Sequence, residues 1–315
     1  MAASLILEVA RIGLRIAAPD PAIRLVAEPA HKPFLAHDAV GDCASVLIGP
    51  ASGRTARRAP GKTLFETGSV WRLEELGENH LLTFRSPIFG KEPYLSVEFD
   101  RDYSRGQGET LDGGPILAAG ELHPFVYPFD EVVFLARLSR GRGVLVHACG
   151  VSFEGRGLLF LGTSGAGKST MARLWKERQG VTILSDDRIV IRADGGGYRI
   201  FGTPWHGEAG WEAPASAPLA GAFILDQAPR NAVVDLSPSA AVAQMMVRAF
   251  PSMWDQEGLE FAVRFLADLA DRVPVRLLKF LPEPTAIDRA LAALPHRGGS
   301  VGPDESAYGG TEEPR

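Results

Sequence analysis

The stretch Gly162-Thr163-Ser164-Gly165-Ala166-Gly167-Lys168-Ser169-Thr170 holds the residue types that cradle a phosphate chain. It follows the apolar run Leu158-Leu159-Phe160-Leu161 and gives way to Met171-Ala172-Arg173-Leu174-Trp175, which reads as helix. Strand, then G-x-x-x-x-G-K-S, then helix is the Walker A phosphate loop. Its glycines let backbone N–H groups turn inward around phosphates. The helix presents the positive end of its dipole to the same place. Lys168 supplies a point charge for the outer phosphates, and the Ser169 hydroxyl suits a Mg²⁺ ion. The expected cofactors are therefore ATP and Mg²⁺, held by Gly162, Thr163, Ser164, Gly165, Ala166, Gly167, Lys168, Ser169 and Thr170.

Asp186 and Asp187 close the next predicted strand, Val181 to Leu184. A carboxylate at the C-terminal end of a strand beside a phosphate loop faces the metal and phosphates. One Asp can hold the metal, and the other can take the proton of an attacking hydroxyl. The sequence does not say which does which, and Asp also serves turns and helix caps. The pair lies one helix and one strand beyond Lys168, which suits a kinase better than a transport or motor ATPase. An L-S-G-G-Q-like helix start, as in transporter subunits, is absent from the sequence.

His147 lies on the preceding apolar strand, Val144-Leu145-Val146-His147-Ala148. A lone His there is more often a packed residue than a catalytic one. A short hairpin to the phosphate loop argues for chemistry. The catalytic candidates are thus Asp186, Asp187, His147 and Lys168. The loop Gly202-Thr203-Pro204-Trp205-His206-Gly207-Glu208 is a further candidate site edge. Glu208 joins Ser169 and Asp186 as expected metal ligands, and His206 is a candidate phosphate or substrate contact. The competing reading is a packed turn around a buried Trp. Arg188 is placed to balance phosphate charge or to pair with a carboxylate.

The elements that must position these residues follow from periodicity. Up to residue 127 the chain reads as β-rich. Leu5 to Ile16, Val70 to Leu73, Leu81 to Phe84 and Leu95 to Phe99 have strand patterns. Ala51 to Lys62 and Arg105 to Gly114 read as polar connections. From Pro128 the pattern changes. Helices are expected over Phe129 to Leu138, Lys168 to Arg178, Ser239 to Arg248, Glu257 to Arg272 and Pro284 to Leu294. Strands are expected over Gly143 to Val151, Leu158 to Leu161, Val181 to Leu184, Ile189 to Arg192, Tyr198 to Phe201, Ala220 to Leu225 and Val275 to Lys279. Residues 296–315 read as a disordered tail. The expected organisation is a β-rich N-terminal domain over 1–127, a phosphate-loop domain over 128–295, and the tail.

The chain has 315 residues, 45% hydrophobic and 23% charged, with a formal charge of -5. That balance gives no basic field for nucleic acid. Cys43 and Cys149 make no metal-like or redox-like spacing, so a reduced, cytoplasmic setting is expected. Glu8, Arg11 and Arg15 interrupt the N-terminal apolar pattern, which excludes a signal peptide there, and no membrane span is expected. A homo-oligomer stays open.

The order His147, then Gly162 to Ser169, then Ser185-Asp186-Asp187-Arg188 resembles the C-terminal kinase domain of HPr kinase/phosphorylase. The resemblance is specific from Val144 to Val190 and looser to Leu294. It implies an α/β fold, the P-loop kinase domain of the HPr kinase and phosphoenolpyruvate-carboxykinase type, here preceded by a β-rich domain. It implies ATP-dependent phosphorylation of a hydroxyl, a Ser on a peptide or small protein, with His147 and Asp186 or Asp187 assisting proton transfer. Thr170 stands where the bifunctional enzymes carry Glu, so neither phosphorolysis nor HPr as acceptor is implied. The chain looks more like the HPr-kinase-related proteins encoded beside bacterial peptide-modification and polysaccharide genes. The alternative is a nucleotide-binding regulatory or assembly module without significant kinase turnover.

Overall fold

The computed structural model describes residues 4–38, 41–52, 61–68, 70–86, 89–90, 92–110, 114 and 116–295. The expected tail over 296–315 and most of the expected Ala51 to Lys62 loop lie outside the described residues. The chain is mixed α/β.

The first half supplies β1 (Ser4–Val9), β2 (Ile12–Ala17), β3 (Arg24–Leu25), a 3-10 turn (Lys32–Phe34), β4 (Cys43–Pro50), β5 (Lys62–Glu66), β6 (Trp71–Leu76), β7 (Asn79–Phe84), β8 (Leu95–Phe99), β9 (Arg105–Thr110), β10 (Leu117–Ala118) and β11 (Glu121–Leu122). Eight of them form one sheet in the order β1-β2-β4-β9-β8-β7-β6-β5, while β10, β11 and β3 make a small second sheet. Alternation explains the buried face: Leu95, Val97 and Phe99 on β8 and Ala44, Val46 and Ile48 on β4 are all buried. The strand β9 corrects the polar connection expected from Arg105. Its Gly106 and Gly108 lie opposite Phe99 and Val97, so the apolar signal sits on the partner strand.

Helix α1 (Phe129–Leu138) follows. Its Phe129, Val132, Val133, Phe134 and Leu138 belong to the core of the first sheet, together with Leu145, Val190, Phe201 and Trp205 from beyond it. The boundary expected at Pro128 therefore falls inside a continuous core.

The second half runs β12 (Val144–Phe153), β13 (Arg156–Leu161), α2 (Lys168–Lys176), β14 (Val181–Ser185), β15 (Arg188–Asp194), β16 (Gly197–Phe201), β17 (Ser216–Gln227), β18 (Ala232–Asp235), α3 (Pro238–Met246), α4 (Gln256–Arg272), β19 (Val275–Phe280) and α5 (Thr285–Ala292). β13, β12, β15, β16 and β17 pair in sequence, and β17 pairs back to β13, closing a five-strand ring. The parallel trio β13, β17 and β19 sends its C-terminal ends to one edge. A phosphate site belongs at such an edge. One buried cluster joins this ring to α3 and α4, and another joins it to α2 and α5. No described helix is long and apolar enough to cross a membrane.

Phe134 packs edge-on against Trp205, with ring centroids 5.5 Å apart, and so ties α1 to the 202–209 loop. Phe134→Ala should lower unfolding free energy by about 3–5 kcal/mol. Urea denaturation checks this; a loss under about 1 kcal/mol would mean the two halves are not packed through this side chain.

Candidate functional site

The loop between β13 and α2 has the local form its glycines predict. Gly167 is the N-cap of α2 at φ 101, and no side chain caps the helix. A β-carbon at Gly167 would also run into the Phe280 ring at the end of β19. Only glycine fits both demands. The free N–H groups of the first turn are left for a ligand, and no acidic side chain competes there. Thr163, Ser164 and Gly165 are exposed, and Ser169 and Thr170 are half-buried. Gln227, at the end of β17, donates from Nε2 to the Gly165 carbonyl at 2.9 Å and braces the loop.

Lys168 is buried, with Nζ 3.3 Å from the Thr163 carbonyl and 3.8 Å from Asp187 Oδ1. Burial pushes its ammonium below the ordinary lysine range, with Asp187 opposing that shift. A buried ammonium with two such distant partners fits an anionic ligand. This edge suits a polyphosphate.

His147 lies on β12 directly opposite Arg188 on β15. The Gly162 N–H donates to the His147 carbonyl at 3.2 Å, which fixes His147 beside the loop. Its Nε2 lies 2.7 Å from Asp187 Oδ1. Arg188 reaches the other Asp187 oxygen from Nη1 and donates from Nε to Glu131 Oε1 at 2.9 Å. The Arg188 guanidinium stands 4.4 Å from the centre of the Phe250 ring. Burial acts to raise the Asp187 carboxyl, but His147, Arg188 and Lys168 outweigh it and hold it below the usual carboxylate range. Glu131 goes the other way, because its burial outweighs the pull of Arg188.

The two Asp side chains part company. Asp186 is 1% exposed. Its Oδ1 accepts from the Gly207 N–H at 2.8 Å and its Oδ2 from the Ala209 N–H at 2.9 Å. A β-carbon at Gly207 would come within 2.9 Å of Oδ2, so glycine allows this approach. Each oxygen of this enclosed carboxylate is thus committed to a loop amide. Glu208 and His206 are exposed on that loop, and His206 Nδ1 lies 2.9 Å from the Gly207 carbonyl. Among the described residues, no three His, Cys, Asp or Glu side chains form a metal-holding group. Of the expected metal set, Asp186 anchors the loop through both oxygens, Glu208 is exposed on that loop, and Ser169 is half-buried in the first turn of α2. Trp205 is the buried centre of the loop, with Nε1 donating to Asp130 Oδ2 at 2.7 Å.

The sequence reading missed Asp130, Glu131, Gln227, Phe250 and Phe280. Asp130 and Glu131 were visible only as first-turn acids of α1, a position that helix electrostatics alone explains. The others have no local signature, since each reaches the site from a strand end or a distant segment.

The fold thus brings the glycine-rich 162–167 loop to one sheet edge, with one ion-paired carboxylate facing the lysine. A family model described as "SynChlorMet cassette protein ScmC" matches residues 130–276, a stretch that contains this whole edge up to the start of β19. No curated protein matches the chain.

Because the folded Asp187 pKa lies below its ordinary 3.8, its charge contributes stability that is complete above 3.8 and lost as pH falls through the lower folded value. The urea midpoint of the parent should therefore fall more steeply below pH 4 than that of Asp187→Asn. Parallel curves would show that the carboxylate gains nothing from His147, Arg188 and Lys168.

Proposed function

We propose that this chain is an ATP-dependent phosphotransferase of the HPr-kinase-like class, acting on a hydroxyl of a peptide or small protein. The observation that carries the reading is Asp187 Oδ1, 2.7 Å from His147 Nε2 and 3.8 Å from Lys168 Nζ beside the phosphate loop. Loop and helix N–H groups would hold the phosphates of ATP, with Lys168 offsetting the charge of the outer ones. Mg²⁺ bound with ATP would neutralise charge on the β- and γ-phosphates, and Ser169 is the side chain fitted to ligate it.

Asp187 would accept a hydrogen bond from the acceptor hydroxyl and aim its oxygen at the γ-phosphorus. As the new P–O bond forms and the bond to the β-phosphate oxygen breaks, the hydroxyl proton passes to Asp187 and ADP leaves. A carboxylate held at low pKa is a weak base, yet phosphoryl transfer demands mainly positioning, because little proton removal precedes a loose transition state. His147 fixes the orientation of the Asp187 oxygen.

Lys168→Ala should weaken ATP binding by about tenfold or more, because the phosphates lose their fixed cation. Asp187→Asn should keep ATP affinity near the parent value and cut transfer by about a hundredfold or more. Radiolabelled ATP with a panel of Ser-containing peptides measures both. Transfer by Asp187→Asn at the parent rate would overturn the assigned base. ATP bound by the parent and never consumed with any acceptor would replace the kinase with a nucleotide-binding regulatory module.

A further inference from the structure

The first turn of α1 carries two adjacent buried carboxylates, Asp130 and Glu131, far from the phosphate loop in sequence. Successive helical residues point about 100° apart, so neighbours can reach two different targets. Asp130 Oδ2 receives the Trp205 indole N–H at 2.7 Å and lies 3.0 Å from His31 Nε2. Glu131 receives Arg188 Nε at 2.9 Å. The two targets bracket the Asp pair. From Trp205 the loop continues to Gly207 and Ala209, whose N–H groups hold Asp186. Arg188 is the next residue after Asp187 and pairs with it. Ser185 completes the bracket: its hydroxyl donates to the Trp205 carbonyl at 3.3 Å and accepts from the N–H groups of Asp187 and Arg188.

We infer that Asp130 and Glu131 are positioning residues which grip the Asp186–Asp187 turn from both sides, Asp130 through Trp205 and Glu131 through Arg188, and hold Asp187 against the phosphate loop. This rests on the proposed phosphotransfer for its catalytic consequence. The grip itself is a matter of geometry. Burying two carboxylates between cores is costly, and apolar side chains of similar size often stabilise such places as well or better. Each carboxylate here instead ends on a side chain that leads to the Asp pair. α1 thereby bears on the Asp pair through Trp205 and Arg188.

The test combines kinetics with hydrogen exchange on the full chain. Glu131→Ala should lower kcat by about tenfold or more while KM for ATP stays within about twofold. Glu131→Gln, which keeps an acceptor oxygen for Arg188, should restore most of that loss. If Glu131 works through Arg188, the double variant Glu131→Ala/Arg188→Ala should be no slower than Arg188→Ala alone; multiplying losses would overturn the inference. In the nucleotide-free protein, Asp130→Ala should speed exchange of the Gly207 and Ala209 amides by about tenfold or more, leaving α2 amides unchanged. Trp205→Phe keeps a ring against Phe134 and deletes the indole N–H, so it carries the same expectation should Asp130→Ala fail to fold. Unchanged exchange in both variants, or in the one that folds, overturns the grip. A parent that binds ATP but transfers no phosphate refutes the kinase reading, and the exchange result still decides the grip separately.

Discussion

The structure depends on keeping a carboxylate charged at the seam of two cores. Asp187 has three polar partners around it, the His147 imidazole from β12, the Lys168 ammonium from the start of α2 and the Arg188 guanidinium from the start of β15. Each charge would be costly alone in such a place. Together they oblige three separate segments to meet. Arg188 in turn needs Glu131, and Phe250 covers its face. The ion pairs therefore fix where α1 and the 248–254 segment lie relative to the phosphate loop.

Topology makes that meeting possible. β12 is long enough to pair with β15 through Val144 to His147 and with β14 from Gly150 to Phe153. Asp186 and Asp187 are the link between β14 and β15, so both flank the same strand. Meanwhile β13, β17 and β19 run parallel and deliver the loop, Gln227 and Phe280 to one edge. The ring closes through β13 and β17, the two strands whose ends carry the loop and Gln227.

The adjacent Asp residues show how one chemical type acquires two duties. Asp186 is sealed beneath a loop whose amides take both its oxygens, and it serves as an anchor. Asp187 faces the lysine and histidine and keeps a partial opening, with its side chain 23% exposed. Their difference comes from the bend that Ser185 closes by accepting from the Asp187 and Arg188 N–H groups, which leaves the two carboxylates with different partners.

The sequence by itself determined the local matters. Gly162 to Gly167 had to be a loop between strand and helix, since its glycines and the flanking apolar runs allow little else. The helix over Phe129 to Leu138 and the strands over Ile189 to Arg192 and Tyr198 to Phe201 were legible because periodicity is a short-range signal. Lys168 could be named because it belongs to the motif itself, Asp187 because it follows the next strand, and His147 because its strand leads through a short hairpin to the loop. Only the tertiary structure decided that Asp187, not Asp186, faces the loop. It also left Glu208 exposed, turned Trp205 inward, and joined α1 to the first core. β9 escaped notice because its burial is completed by Phe99 and Val97 of another strand. Long-range pairing and burial depend on which surfaces meet across the fold, and no window along the chain contains both partners of such a contact.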